Sequence, residues 1–354
     1  MTDASKLAFL GQNNGDGTFD TTYGDQNELF KSVFAGLVTR AYEQQRKLFP
    51  LITSRTVRNA RGVNFPLMGG ASASFHTPGE SIISSADAAG TDYLSNIKVA
   101  NKEVKLNDLL IASCMTDKLD ELKNEFDARA DLAAELGRVL ADKEDELIFR
   151  ALYASSVRQT EGEGVLYTGE PEEGGVVELE LYGSGGTTPL AFDTVASNLL
   201  DGLFAAASRL DQRNVPENDR YFVIDPKWFH YLSGNTTVLN RDWGGSGALA
   251  DNKVFRVAGF DVIKSANVPD TNISNEAGEN SGTHGDFEHD DGAINLMGMC
   301  FHKGAAACAK AMDVGVETSW MPEYQGHLLA AKVAAGYDSL RTEGAVAISG
   351  VQTS

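Results

Sequence analysis

The chain has 354 residues, 42% of them hydrophobic, and a formal net charge of −20; it is long enough for a sizeable core in one elaborate domain or two to three small ones, and the charge opposes generic nucleic-acid binding, which needs a basic footprint. No apolar run of about 18 residues is present to cross a membrane, and the opening Met1-Thr2-Asp3-Ala4-Ser5-Lys6 lacks a signal pattern, so the protein is expected to stay where it is made. Cys114, Cys300 and Cys308 show no CxxC spacing, which argues against a disulfide framework or a zinc site and reads as buried free thiols.

Residues 1–27 lack apolar periodicity and scatter Gly11, Gly15, Gly17 and Gly24 among Asn, Asp and Thr, the pattern of an extended N-terminal arm. Over 28–48, Leu29, Val33, Leu37 and Ala41 form one stripe with Phe30, Phe34 and Val38 beside it, predicting a helix that Pro50 stops. Two extended segments follow, about 63–76 and 94–112. Alternation in Ile97-Lys98-Val99-Ala100 and Glu103-Val104-Lys105-Leu106 predicts a half-exposed hairpin. A long isolated hairpin is marginal in water, so it needs a partner surface, another subunit being one candidate. Over 116–155, apolar residues from Leu119 through Leu136, Leu140 and Leu147 to Ala151 recur at helical spacing, with Thr116 or Asp117 as N-cap. Such a helix spans roughly 57 Å, and Gly137 is its weak point, costing about 1 kcal/mol against Ala.

Residues 157–190 form a Gly- and Glu-rich connector with a short strand near Val176–Leu181. A compact α/β unit is expected over 191–269. It comprises a helix from Phe192 to Arg213, a buried strand Tyr221–Ile224, a helix opened by Asp225-Pro226, and strands at Val254–Val257 and Phe260–Ile263. An acidic loop covers 270–292. Strands then recur at Ala293–Cys300, 314–320 and 326–341.

The sequence holds neither GxxxxGK[ST] nor GxSxG, so neither a phosphate loop nor a nucleophile elbow is in view. The densest ligand chemistry is His284 to Gly292. His284, Asp286, Glu288 and His289 there are weak candidates for a divalent ion, but the spacing matches neither an EF-hand nor HExxH. Mixed hard and soft ligands on a Gly-rich loop more often mean a solvated acidic loop, which is the better reading, and no metal site is assigned. His76, His230, His302 and His327 are scattered, and a lone His beside aromatics, as at Trp228-Phe229-His230, reads as a packing residue. Arg55, Arg58 and Arg61 cluster before the hairpin without interleaved aromatics, so an inter-subunit salt bridge to the acidic hairpin tip (Glu80, Asp87, Asp92) is the better reading than nucleic-acid readout.

The order of elements, with several segments, resembles the major capsid proteins of tailed bacteriophages, specifically the short-tailed podovirus group. The segments are Glu28–Gly36 with Val38-Thr39-Arg40-Ala41, Phe65–Gly69 through His76-Thr77-Pro78-Gly79-Glu80, Lys105–Leu110, Asn214–Pro226 and Gly259-Phe260-Asp261-Val262. The similarity covers about 28–345. The acidic loop and the Glu/Gly-rich connector depart from the family pattern.

The resemblance implies an α+β, HK97-like fold in five stretches. These are an N-terminal arm and first helix (1–54), an extended E-loop hairpin (55–112), a P domain with a long spine helix and connector (113–190), an A domain (191–300), and return strands with a C-terminal tail (301–354). It implies hexamers and pentamers forming an icosahedral shell around double-stranded DNA without sequence-specific binding. It also implies a scaffolding protein, a portal protein, a possible decoration protein, no membrane, no cofactor, and a place in the virion after assembly in the host cytoplasm. Phe75, Ile97 and Val99 would lie against a neighbour, and Trp243 would sit in an axial loop (Gly234–Gly247) that meets its symmetry copies. Two alternatives are an encapsulin-type cargo compartment with the same fold and, more remotely, a metal-dependent soluble enzyme.

Overall fold

The apolar stripe beginning at residue 28 winds into helix α1 (Glu28–Gln45), and the pattern centred on Leu140 into the longer α2 (Arg129–Val157). The computed structural model describes residues 28–68, 75, 76, 78, 99–117, 129–157, 175–181, 190–234, 256–269 and 295–351. Val38 and Tyr42 of α1 share a buried cluster with Leu136, Leu140 and Ala141 of α2. The helices meet at Gly137, where an added Cβ would stand 2.6 Å from the Val38 carbonyl oxygen and 2.9 Å from the Ala41 Cβ. A short 3-10 turn at Phe49–Leu51 takes the chain off α1 at Pro50.

Strands β1 (Thr53–Thr56), β2 (Gly62–Met68), β3 (Val99–Lys105) and β4 (Leu110–Asp117) follow in sequence. The expected second arm of the hairpin, 94–112, is therefore two strands in two sheets. β3 pairs with β2, Phe65 opposite Lys102, whereas β4 pairs with a distant strand, β11 (Gly326–Ser339), Met115 opposite Leu328. Thr116 and Asp117, the expected N-cap of the long helix, end β4 opposite His327 and Gly326. Residues 118–128, Leu119, Leu122 and Phe126 among them, lie outside the described residues.

β11 also pairs antiparallel with β10 (Ala306–Met321), and β1 lies parallel on the other side of β10, giving the order β1-β10-β11-β4. A second sheet gathers β5 (Val176–Glu180), β6 (Arg220–Ile224), β7 (Arg256–Val257), β8 (Phe260–Lys264), β9 (Asn295–His302) and β12 (Ala345–Val351) in the order β5-β12-β9-β6-β8-β7. The last strand thus leaves the β10–β11 pair and inserts between β5 and β9.

That second sheet is buried on both faces, which explains the unbroken apolar runs in its strands. Val223, Met299, Phe301 and Ala347 face the cluster containing α2; Phe222, Ile224, Cys300 and Ile348 face helices α3 (Phe192–Gln212) and α4 (Pro226–Gly234). In β9, Met297 and Met299 fall on opposite sides despite even spacing. A register shift beside Ile348 inserts the extra residue, as a β-bulge does. α3 buries Val195, Leu199, Leu203, Ala206 and Leu210, a helical stripe matching its sequence pattern. The turn into β6 is held by buried Arg220, which donates to the carbonyls of Val215 (2.5 Å) and Pro216 (2.9 Å) and pairs with Asp211 at 2.8 Å. Cys300 and Cys308 are buried as expected, but Cys114, on edge strand β4, is only half-buried.

Candidate functional site

The groups left over after folding lie on surfaces, and the most informative is the root of the β2–β3 hairpin. Phe65 and Val104 pack with Val57, Ala307 and Ala309 in a small core of their own. The Leu106 N–H donates to the Arg61 carbonyl at 2.9 Å and the Val57 N–H to the Lys310 carbonyl at 2.7 Å. Lys102 Nζ lies 3.2 Å from Asp338 Oδ2. β11 comes so close to β3 that a Cβ on Gly336 would stand 1.9 Å from the Lys105 carbonyl oxygen.

Beside this root, residues 57–61 make a basic loop. The Arg55 guanidinium is drawn back onto its own chain, 4.7 Å over the Phe65 ring and donating to the Asn64 carbonyl at 3.2 Å. Arg58 and Arg61 are exposed and line a shallow cleft of about 590 Å³ with Val57, Asn59, Ala60 and Ala311. Among the described residues no carboxylate pairs with either arginine. Asn59, at φ 53°, lets the loop turn tightly enough to hold both on one side.

Apolar side chains also remain outside. Leu110, Ala112 and Cys114 of β4 pack inward, so Ile111 and Met115 point to the opposite face, where they are 55% and 42% exposed. At the far end of the β10–β11 pair, Trp320 stacks edge-on to His327 at 4.8 Å and Tyr324 is exposed. Phe75 is fully exposed. The alternation that carries Ile111 and Met115 is present in the sequence and runs past 112, the expected end of the segment.

A buried polar joint, not anticipated from the sequence, ties these parts together. Tyr42 and Tyr337 each donate their hydroxyl to Glu144, and Arg46 Nη1 lies 3.8 Å from the same carboxylate and 3.1 Å from the Tyr42 hydroxyl. Burial, reinforced by the Glu144 charge, pushes both tyrosines far above the usual phenol range and the Cys308 thiol up to about 12. The adjacent Asp145 accepts the backbone N–H groups of Leu48 (3.1 Å) and Lys47 (3.3 Å), which pins the end of α1 to the middle of α2. Asn267, in the turn after β8, reaches Asp142 at 3.1 Å and Asp145 at 3.5 Å. Burial raises the Asp145 carboxyl to about 6 despite those donors. Each polar group here serves packing, and nothing in the joint is open to a substrate.

Of the other residues singled out in the sequence, Glu80, Ile97, Trp243, His284, Asp286, Glu288 and His289 lie outside the described residues, as do Asp87 and Asp92. Val99 begins β3. His302 is held internally, its Nδ1 accepting the Gly304 N–H at 3.1 Å. No group of three His, Cys, Asp or Glu side chains placed to hold a metal ion occurs among the described residues. No described helix is long and apolar enough to cross a membrane.

A family model described as Gp10A-like major capsid protein matches residues 64–349. The major capsid protein of Escherichia phage T7 is 24% identical over 353 residues, 96% of each chain. That of Enterobacteria phage T3 is 26% identical, covering 96% of this chain and 95% of the relative. Among solved structures, the capsid of cyanophage P-SCSP1u superposes with a TM-score of 0.67 at 29% identity over 86% of this chain and 87% of that one. The fold is the HK97-like phage capsid fold, and these relatives are structural proteins and not enzymes. With a hairpin rooted on the sheet, a long spine helix and a two-faced sheet capped by α3 and α4, this chain belongs to the Gp10A-like major capsid protein family.

Proposed function

We propose that this chain is the shell subunit of a short-tailed phage, assembling as hexamers and pentamers into an icosahedral capsid around double-stranded DNA. Family membership supports the coarse reading. The observation that carries the finer one is the β2–β3 sheet, two-stranded and anchored at its root by a core of a few residues. Such a pair is marginal alone and stable when a neighbour covers it. Repetition of modest contacts around a closed lattice supplies the rest of the stability. The net charge of −20 suits a wall that encloses DNA without adhering to it.

The basic loop is proposed as one contact, Arg58 and Arg61 meeting acidic side chains of an adjacent copy. Phe75, Ile97, Val99 and Trp243 are further proposed contacts. Scaffolding, portal and decoration proteins are proposed partners by family analogy, with assembly in the host cytoplasm and the virion as final location. A cargo compartment is not favoured, since the sequence relatives are phage capsid proteins.

The test is negative-stain electron microscopy of the chain expressed alone and with its scaffolding protein. Closed shells, or capsomer-like rings and curved sheets, support the proposal, and dependence on scaffold separates a phage shell from a cargo compartment. A monodisperse small oligomer in both samples, at every salt concentration, contradicts it.

A further inference from the structure

The contacts at the root of the β2–β3 hairpin are of two kinds with different geometric content. The apolar contact of Phe65 and Val104 with Val57, Ala307 and Ala309 is non-directional and tolerates rocking of one element on the other. The contact between Lys102 and Asp338 is a charge contact, which opposes separation of the two groups. Asp338 is 0% exposed. It stands opposite Ala307 in the β10–β11 register, hence on the sheet face that carries this small core. Its Oδ1 accepts the Ser339 N–H at 2.7 Å, and Lys102 Nζ sits 3.2 Å from its Oδ2.

A carboxylate sealed in that place needs a cation close by, and the hairpin strand delivers one. Because Lys102 faces Phe65 across the hairpin, the same rung carries both the apolar and the ionic anchor. Gly336 removes the side chain that would otherwise hold the strands apart. A buried ion pair adds little net stability over apolar residues of similar volume, but withdrawing the cation strands a sealed charge, so the pair resists movement of the hairpin root away from Asp338.

We propose that Lys102 and Asp338 are positioning residues for assembly: their ion pair fixes the angle at which the hairpin leaves the sheet and so aims it at a neighbouring copy of this chain. The inference rests on the shell reading above. It predicts a separation of effects that a merely structural pair would not give. Replacing both charges leaves the subunit folded and makes the lattice fail.

The test uses the full chain with Lys102→Met and Asp338→Leu together, and separately Lys102→Arg, which keeps the cation. Melting of the unassembled subunit, hydrogen exchange of the β2–β3 amides and the yield of closed shells are read side by side. The double variant is expected to melt near the wild type. Its β2–β3 amides should exchange faster while those of β10 and β11 do not change. Closed shells should fall about tenfold in favour of open or misclosed sheets, since a small change per subunit is multiplied over the lattice. Lys102→Arg should assemble as wild type. A double variant that folds and gives shells of wild-type yield and diameter overturns the positioning role. If the apolar pair fails to fold, the neutral pair Lys102→Gln with Asp338→Asn takes its place under the same two readings. Wild-type chain that gives no shells with scaffold removes the shell reading and the positioning role with it.

Discussion

Glu144 and Asp145 are adjacent acids of α2, 1% and 0% exposed, and their surroundings differ in kind. Glu144 is met by the Tyr42 and Tyr337 hydroxyls, donors that come from 102 and 193 residues away in sequence. Asp145 is met mainly by backbone N–H groups and the Asn267 amide, with Glu144 adding repulsion, and burial prevails, raising it from 3.8 to about 6. The native chain therefore holds a proton on Asp145 more readily than the unfolded chain does. Its contribution to stability rises as pH falls from about 6 toward 4, by about 3 kcal/mol for a shift of this size. Asp145→Asn removes the charge and keeps a carbonyl acceptor for Leu48. Its melting temperature relative to wild type should be highest near pH 8 and decline toward pH 4. Parallel melting curves for the two proteins across that range would contradict the assignment. Glu144 sits one turn from Leu140 and three residues before Leu147, on the apolar stripe itself. That position was the available signal for its burial, although the identity of its donors was not.

At the scale of elements, Gly137 reverses its meaning between sequence and structure. As a helix residue it is a defect, and Ala is expected to improve α2 by about 1 kcal/mol. At the crossing with α1 it is the residue that permits contact, because a Cβ would meet the Val38 carbonyl oxygen at 2.6 Å, and backbone cannot rotate away as a side chain can. Overpacking of a well-packed contact costs about 1–3 kcal/mol. Gly137→Ala should accordingly lower the denaturation midpoint, and a higher midpoint would show that α1 shifts freely on α2. The same conflict between local pattern and distant partner divided the second hairpin arm into β3 and β4. Helix α1 was legible as a helix, and α3 and α4 were legible from their stripes, as were β5, β6, β8 and β9 from their apolar runs, since α3 and α4 bury their patterns where those patterns point.

For the whole molecule, charge is the simplest handle on assembly. The chain carries an excess of acidic over basic groups, and Arg58 and Arg61 stand exposed on one loop with no carboxylate partner among the described residues. Exposed positions of this kind change subunit stability by about 0.5 kcal/mol or less. Arg58→Glu with Arg61→Glu should therefore leave the melting temperature of the isolated subunit in place and abolish closed shells in electron micrographs. Normal shells from that variant would exclude the loop from the interface. Sequence by itself determined the kind and order of most elements, though not β1, β12 or the division of β3 from β4, because helical and strand periodicities are written over a few adjacent residues and burial enforces them locally. The family resemblance rested on that same order. Only the tertiary structure decided that β12 lies between β5 and β9 and that β4 lies beside β11. It also decided that Asp338 meets Lys102 and that Glu144 meets two tyrosines. Those outcomes depend on pairing between segments far apart in the chain, where backbone hydrogen bonds and the cost of burying a charge are settled by whichever partner the fold brings near.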